Sequence, residues 1–299
     1  MKLIRQAAAR LFTICKTGMI AASINCSRSL SPKFKTIRTL VLAILFAASV
    51  VATANAGLHA VSSPQIDGQL LATAVIADND IWAVGFSDQV PAPPVVDSTL
   101  AEHFDGTRWS IVPTPPLPSG NAELLGVAGA ASNDVWAVGL SPSGALVEHW
   151  DGTSWSLVSS PAFTGVSVAA ISAHASNDVW VVGGNGSNAG VEHWDGTSWS
   201  LVSSPDPTHS PGLDSFLSGI AAISASDIWA VGFNFASLGS WDTLTEHWDG
   251  TSWKIIGSAN PGTFKNALFG VSTLSDGTVA AAGFQQDEGF DAMALIMGK

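Results

Sequence analysis

The sequence has no tyrosine, only two cysteines, Cys15 and Cys26, and only four basic residues after Arg38: Arg108, Lys254, Lys265 and Lys299. Each shortage excludes something. Without tyrosine, no chemistry built on a phenol is available. From residue 57 onward there is no thiol and hence no disulfide, so stability has to come from packing. The same stretch holds all 24 acidic residues, starting at Asp67, and its net charge of −20 repels phosphate backbones and anionic headgroups. Nucleic-acid binding is therefore not expected. Scarce Lys and Glu argue against long helices and against disorder, while abundant Val, Ile, Ala and Trp allow a large core. The longest apolar run, Leu40 to Ala52, is too short for a comfortable membrane span.

That run belongs to a leader. Eight of the twelve Lys and Arg precede position 39, no acid does, and the run ends at Ala54-Asn55-Ala56, an A-x-A cleavage pattern. The expectation is a Sec-type signal peptide over 1–56, with Met19 as a second candidate start. A mature domain over 57–299 would then be secreted, periplasmic or at the cell surface, with no membrane span left and no Cys for a lipid anchor. An uncleaved signal anchor is the alternative.

What is abundant is repetition. Val147 to Pro161 (VEHWDGTSWSLVSSP) recurs unchanged from Val191 to Pro205, with weaker copies at Ala101 to Pro115 and Thr245 to Pro261. A second motif, Asp134 to Gly139 (DVWAVG), returns as Asp80 to Gly85, Asp178 to Gly183, Asp227 to Gly232 and, degraded, Val279 to Gly283. The closing glycines are spaced 54, 44, 49 and 51 residues apart. Such self-similarity marks units that bury their apolar faces only by stacking on each other. Each unit reads as four short strands rich in Val, Ile and Trp, separated by Gly, Pro, Asn and Asp. In the Trp150 to Trp155 hairpin, Asp-Gly supplies a positive φ and the two Trp form a cross-strand pair. Asp134 is expected to cap a tight turn by bonding nearby amides.

Four strands per unit and a period near 50 predict an all-β fold, a five-bladed β-propeller of four-stranded antiparallel blades. The fifth unit has no copy of the TSWSLVSSP strand, whereas His59 to Pro64 (HAVSSP) resembles Ser156 to Pro161. The N-terminal strand is therefore expected to complete the last blade. The layout resembles kelch repeats and the propeller core of the galactose oxidase class, and its Trp-Asp pair is similar to that of WD40 blades without their Gly-His element. It is most similar to secreted bacterial propellers with SNDVWAVG and EHWDGTSW repeats, a resemblance that implies a fold and no activity.

Residues repeated in every blade are expected to build blades. The pairs Glu102-His103, Glu148-His149, Glu192-His193 and Glu246-His247 fall on third strands away from the axis, too far apart to share a metal. Galactose oxidase chemistry needs a Cys-linked Tyr, and sialidases need an arginine cluster, but Arg108 is the only Arg after the leader. No G-x-S-x-G elbow and no phosphate-cradling glycine loop is found. No catalytic residue, metal ligand or cofactor is assigned. Antiparallel blades put the near-constant SND and WDGTS turns on one face and all variable loops on the other, where binding is usually placed. Candidate binding residues there are Trp241, Asp242 and Phe235 in one aromatic loop and Asp206, His209 and Asp214 in a Pro-rich one. Trp241 either stacks on a sugar or anchors a protein, or else folds down to plug its loop. The expected function is a non-enzymatic, monomeric binding or protein-interaction module with an extracellular protein or glycan as partner. Alternatives are a lectin-like propeller and a hydrolase or lyase using carboxylates such as Asp206 and Asp242.

Overall fold

The computed structural model describes residues 62–89, 96–117, 121–159, 167–184, 189–205, 207, 214–237, 239–273, 278–287 and 292–298. Every regular element among them is a strand. Unit one contains β1 (Gly68–Ala77), β2 (Asp80–Gln89), β3 (Val96–Phe104) and β4 (Trp109–Val112); unit two contains β5 (Glu123–Ala131), β6 (Asp134–Ser141), β7 (Gly144–Trp150) and β8 (Trp155–Leu157). Unit three follows with β9 (Ser167–Ala175), β10 (Asp178–Gly184), β11 (Ala189–Trp194) and β12 (Trp199–Leu201). Unit four has β13 (Ser215–Ser224), β14 (Asp227–Ser237), β15 (Ser240–Trp248) and β16 (Trp253–Ile255), and unit five has β17 (Lys265–Thr273), β18 (Val279–Gln286) and β19 (Ala292–Gly298). Within each unit, consecutive strands pair antiparallel. A single parallel bridge between Trp241 and Lys265 joins units four and five into one sheet.

The first strands of all five units converge on one channel of about 510 Å³, walled by residues such as Ala72, Leu125, Ala169, Ser218 and Phe269. Small residues let these strands crowd together. A Cβ on Gly219 would lie 3.0 Å from the Phe269 carbonyl oxygen of the next unit. The second strands are sandwiched between neighbours, so β10 (DVWVVGG) is buried along its whole length. This explains why the DVWAVG motif is apolar on both faces rather than alternating.

The closing glycine of that motif has a specific cause. Each first strand bulges where it pairs with this glycine, between Leu70 and Ala72, Leu124 and Gly126, Val168 and Ala170, Leu217 and Gly219, or Leu268 and Gly270. At Gly85, Gly139, Gly183, Gly232 and Gly283 an added Cβ would sit 1.8 or 1.9 Å from a carbonyl oxygen of the first strand. No side chain fits there.

Two expectations change. Asp134 does not serve its turn amides; its Oδ1 accepts from Trp136 Nε1 at 2.9 Å and pairs with His149 Nε2 at 2.8 Å. Phe233 to Asp242 is not an irregular loop either, because the β14–β15 ladder runs on through the pairs Phe233↔Thr243, Asn234↔Asp242 and Phe235↔Trp241. Aromatic cross-strand pairing extends the hairpin there. Of the expected closing strand, His59 to Val61 lie outside the described residues, and Ser62 to Ile66 enter β1 without strand structure.

Candidate functional site

The repeated polar residues form a structural constellation. His103, His149, His193 and His247 each hold Nε2 within 2.8 or 2.9 Å of Oδ1 of Asp80, Asp134, Asp178 and Asp227 on the adjacent strand. Each imidazole also packs on the motif Trp of that strand, with centroids 4.1 to 4.5 Å apart. The neighbouring glutamates are fully buried, with Glu102 and Glu192 at 1% and Glu148 and Glu246 at 0% exposure. Burial pushes Glu148 and Glu246 up to about 7, with the hydroxyls of Thr99 and Ser204 pulling the other way. Ser204, at the end of unit three, donates to both carboxylate oxygens of Glu246 in unit four at 2.9 Å. These carboxyls therefore sit at junctions between units. No cluster of three or more His, Cys, Asp or Glu among the described residues is placed to hold a metal ion.

The hairpins of the same face are equally committed. Asp151 Oδ1 accepts from Thr153 N and Oγ1 at 2.8 and 2.7 Å and from Ser154 N at 2.9 Å, while Gly152 takes φ 95°. Asp105 and Asp195 do the same, and these bonds hold all three carboxyls down to about 2. The Asp-Gly of the repeat is turn chemistry, as expected from its residue types.

The opposite face differs from unit to unit. Its aromatic group lies where unit four meets unit five. Trp241 stacks on Phe233 with centroids 4.9 Å apart and 19° between planes, and meets Phe235 edge-on at 5.5 Å. The Lys265 ammonium lies 4.5 Å from the Trp241 ring centroid and 5.4 Å from that of Phe264. Asn266, buried to 1%, pins this corner by donating from Nδ2 to the carbonyls of Gly262 at 2.9 Å and Trp241 at 3.4 Å. Phe235 N donates to the Asp214 carbonyl at 2.9 Å, and Asp242 pairs with Asn234. Asp214, just ahead of β13, is thus brought beside Phe235 on β14, which pairs with Trp241 and Asp242 of β15. Asp206 and His209 lie outside the described residues. Sequence reading passed over Lys265, although it is one of only four basic residues after Arg38.

Four-stranded antiparallel sheets whose first strands wall a common channel are blades of the β-propeller class. No protein-family model matches the chain, and no curated protein matches it in sequence. Several solved structures are similar. A protein of unknown function from Dyadobacter fermentans DSM 18053 shares 12% identity at a TM-score of 0.51, over 79% of this chain and 80% of that one. YCF48 bound to D1 peptide shares 16% at 0.47, over 79% and 69%. The fucose-specific lectin from Aleuria aurantia shares 14% at 0.46, over 78% and 80%. Identities this low speak to fold alone.

Proposed function

We propose that the chain is a secreted, non-enzymatic binding module, a five-bladed propeller that engages an extracellular protein through its variable face. One observation carries this reading. The recurring Asp, His, Trp and Glu are bonded into the blades, whereas Phe235, Trp241 and Lys265 occur once and gather with Phe233 on the variable face. The channel wall agrees with it, being made of Ala, Leu, Gly, Val, Ile, Ser and Phe side chains. With a net charge of −20 after the leader, the module favours a partner with a basic surface around an apolar anchor. The test exposes the immobilised mature chain to solubilised cell-surface proteins at low and high salt. Salt-sensitive capture that Phe235→Ala and Trp241→Ala weaken at least tenfold, and that Thr153→Ala on the opposite face leaves intact, supports the reading. Capture lost in Thr153→Ala alone overturns it. A second reading, a carbohydrate-binding propeller, draws on Asp242 and Asn234 beside Trp241 and is separated by a glycan array.

Closure of the ring belongs to the same proposal. The N-terminal strand, His59 to Pro64, completes the fifth blade beside β19. Ser63 holds the place in VSSP that Ser204 holds, and Glu102 holds the place of Glu246. Glu102 Oε2 is buried without a hydrogen-bond partner among the described residues, whereas Ser204 donates to the equivalent Glu246. Deleting Gly57 to Pro64 should then destabilise the domain far more than loss of an ordinary tail. An unchanged melting curve would show that the ring closes without it.

A further inference from the structure

We infer that the clefts between consecutive blades, on the face of the constant turns, form a repeated set of saccharide sites. The site lies on the face opposite the Trp241 group, so it stands apart from the protein-binding reading. Between units two and three the cleft has a volume of about 380 Å³ and is walled by Asn133, Asp134, His149 and Val158 on one side and Ser176 and Trp194 on the other. Its walls are fixed before any ligand arrives. Trp194 Nε1 donates to the Ser176 carbonyl at 3.2 Å. His149 is held at Nε2 by Asp134 at 2.8 Å and packs on Trp136 at 4.1 Å. Rigid walls spare a ligand the entropy of ordering them.

The chemistry of the walls selects the ligand. An indole and a valyl side chain offer an apolar surface, and an amide, a hydroxyl, an imidazole and a carboxylate surround it. That combination matches a pyranose ring, which has an apolar C–H face and a rim of hydroxyls. The net charge of −20 selects neutral over acidic saccharides. The bonds that fix these walls recur between units one and two, with His103 bonded to Asp80 and Trp150 Nε1 bonded to the Ser132 carbonyl. They recur between units three and four with His193 bonded to Asp178 and Trp248 Nε1 bonded to the carbonyl of Ala225, which stands in place of Ser176 and leaves that wall without its hydroxyl. Unit five has Ala280 and Gly298 at the Trp and His positions, so the set is three. Three weak sites on one face give tight binding only to a surface that displays the sugar repeatedly.

The test uses a glycan array of neutral and acidic saccharides at high and low density. Ser176 is exposed at the cleft rim, so Ser176→Phe fills one cleft, and Ser132→Phe, Ser176→Phe and Ala225→Phe together fill all three. Asn133→Lys, on the other wall, is an independent variant if the triple one fails to fold. The expected result is retention of a neutral saccharide at high density only. Retention should fall on the order of 10-fold with one cleft filled and vanish with three, and Trp241→Ala should not alter it. Absence of any neutral saccharide response, an unchanged triple variant, or loss in Trp241→Ala instead would overturn the proposal. Protein capture is measured separately, so either reading can fail without the other.

Discussion

The three junctions among units one to four and the junction of units four and five bury their second-strand Trp differently. Trp82, Trp136 and Trp180 each enter a Trp pair of the next unit. Trp82 lies 5.0 and 5.2 Å from Trp150 and Trp155, Trp136 lies 5.1 and 5.5 Å from Trp194 and Trp199, and Trp180 lies 5.0 and 5.6 Å from Trp248 and Trp253. Trp229 packs on His247 of its own unit at 4.5 Å, and in unit five the register puts Met297 and Gly298 at the Glu and His positions. The buried cluster there shrinks to Val231, Leu268 and Ala281, with Val271 beside them. At the other end, Leu70 is 36% exposed, while its counterparts Leu124, Val168, Leu217 and Leu268 are at most 1% exposed. The interior junctions interlock Trp with Trp, whereas among the described residues units four and five meet through smaller apolar side chains, the Trp241 contacts with Lys265, Asn266 and Phe284, and a backbone bridge. The candidate binding residues Phe235, Trp241 and Asp242 fall at that junction, where the repeat is least constrained.

The largest effect should ignore this difference, because it arises inside a unit. Gly183→Val and Gly283→Val both drive a side chain into a carbonyl oxygen of the first strand, Ser167 or Ala267. Each should cost more than about 4 kcal/mol and prevent folding, read as lost soluble yield or a collapsed urea midpoint. If Gly283→Val is tolerated while Gly183→Val is not, unit five does not fold as a blade like the others. Trp180→Ala against Trp229→Ala then measures the junctions themselves. The first removes a side chain interlocked with two Trp of unit four and should cost about 3–5 kcal/mol. The second should cost at least about 1 kcal/mol less, and equal values from chemical denaturation would erase the distinction.

The buried glutamates give a pH-dependent contrast. Burial holds Glu148 and Glu246 near 7, above their ordinary value of 4.5, so the folded state binds more protons than the unfolded one. Stability is then complete at about pH 4, falls as pH rises through 7, and levels off above it. Each group should account for on the order of 2–3 kcal/mol of that fall. Glu148→Gln and Glu246→Gln should flatten the profile and be more stable than the parent at pH 8. The hairpin aspartates, held near 2, remain ionised across this range and do not mask the trend. A flat profile for the parent would mean that these carboxyls are solvated and the junctions looser than described.

Much of this was legible in the sequence because repetition exposes what a blade requires. DVWAVG and EHWDGTSW gave the second and third strands and the Asp-Gly hairpin, and their lack of alternation gave burial on both faces. The role of the closing glycine was not legible, since the bulge that demands it lies in first strands such as Leu124 to Val127, which share little beyond small size. The Asp134 bond to His149 was hidden for a similar reason, because cross-strand register decides which of several short polar side chains an aspartate meets. At the candidate site, Trp241 was conspicuous as the only Trp outside the pattern. Its partner Lys265 comes from the next unit, and only the parallel bridge brings the two together.

The smallest effect probes the proposed seam between the ends of the array. Unit one carries Phe104 and Trp109, 5.5 Å apart, where units two to four carry Trp pairs. Trp150→Phe in unit two removes the indole bond to the Ser132 carbonyl and part of the contact with Trp82, and should cost about 1–2 kcal/mol. Phe104→Trp completes the pair in unit one, but the register of unit five puts Ala280 where the others place the entering Trp. With nothing to interlock, the larger ring should change stability by less than about 0.5 kcal/mol, measured by thermal melting beside the parent. A gain above about 1 kcal/mol would mean that some other group fills the Trp pair of unit one, and that the seam is packed as tightly as the interior junctions.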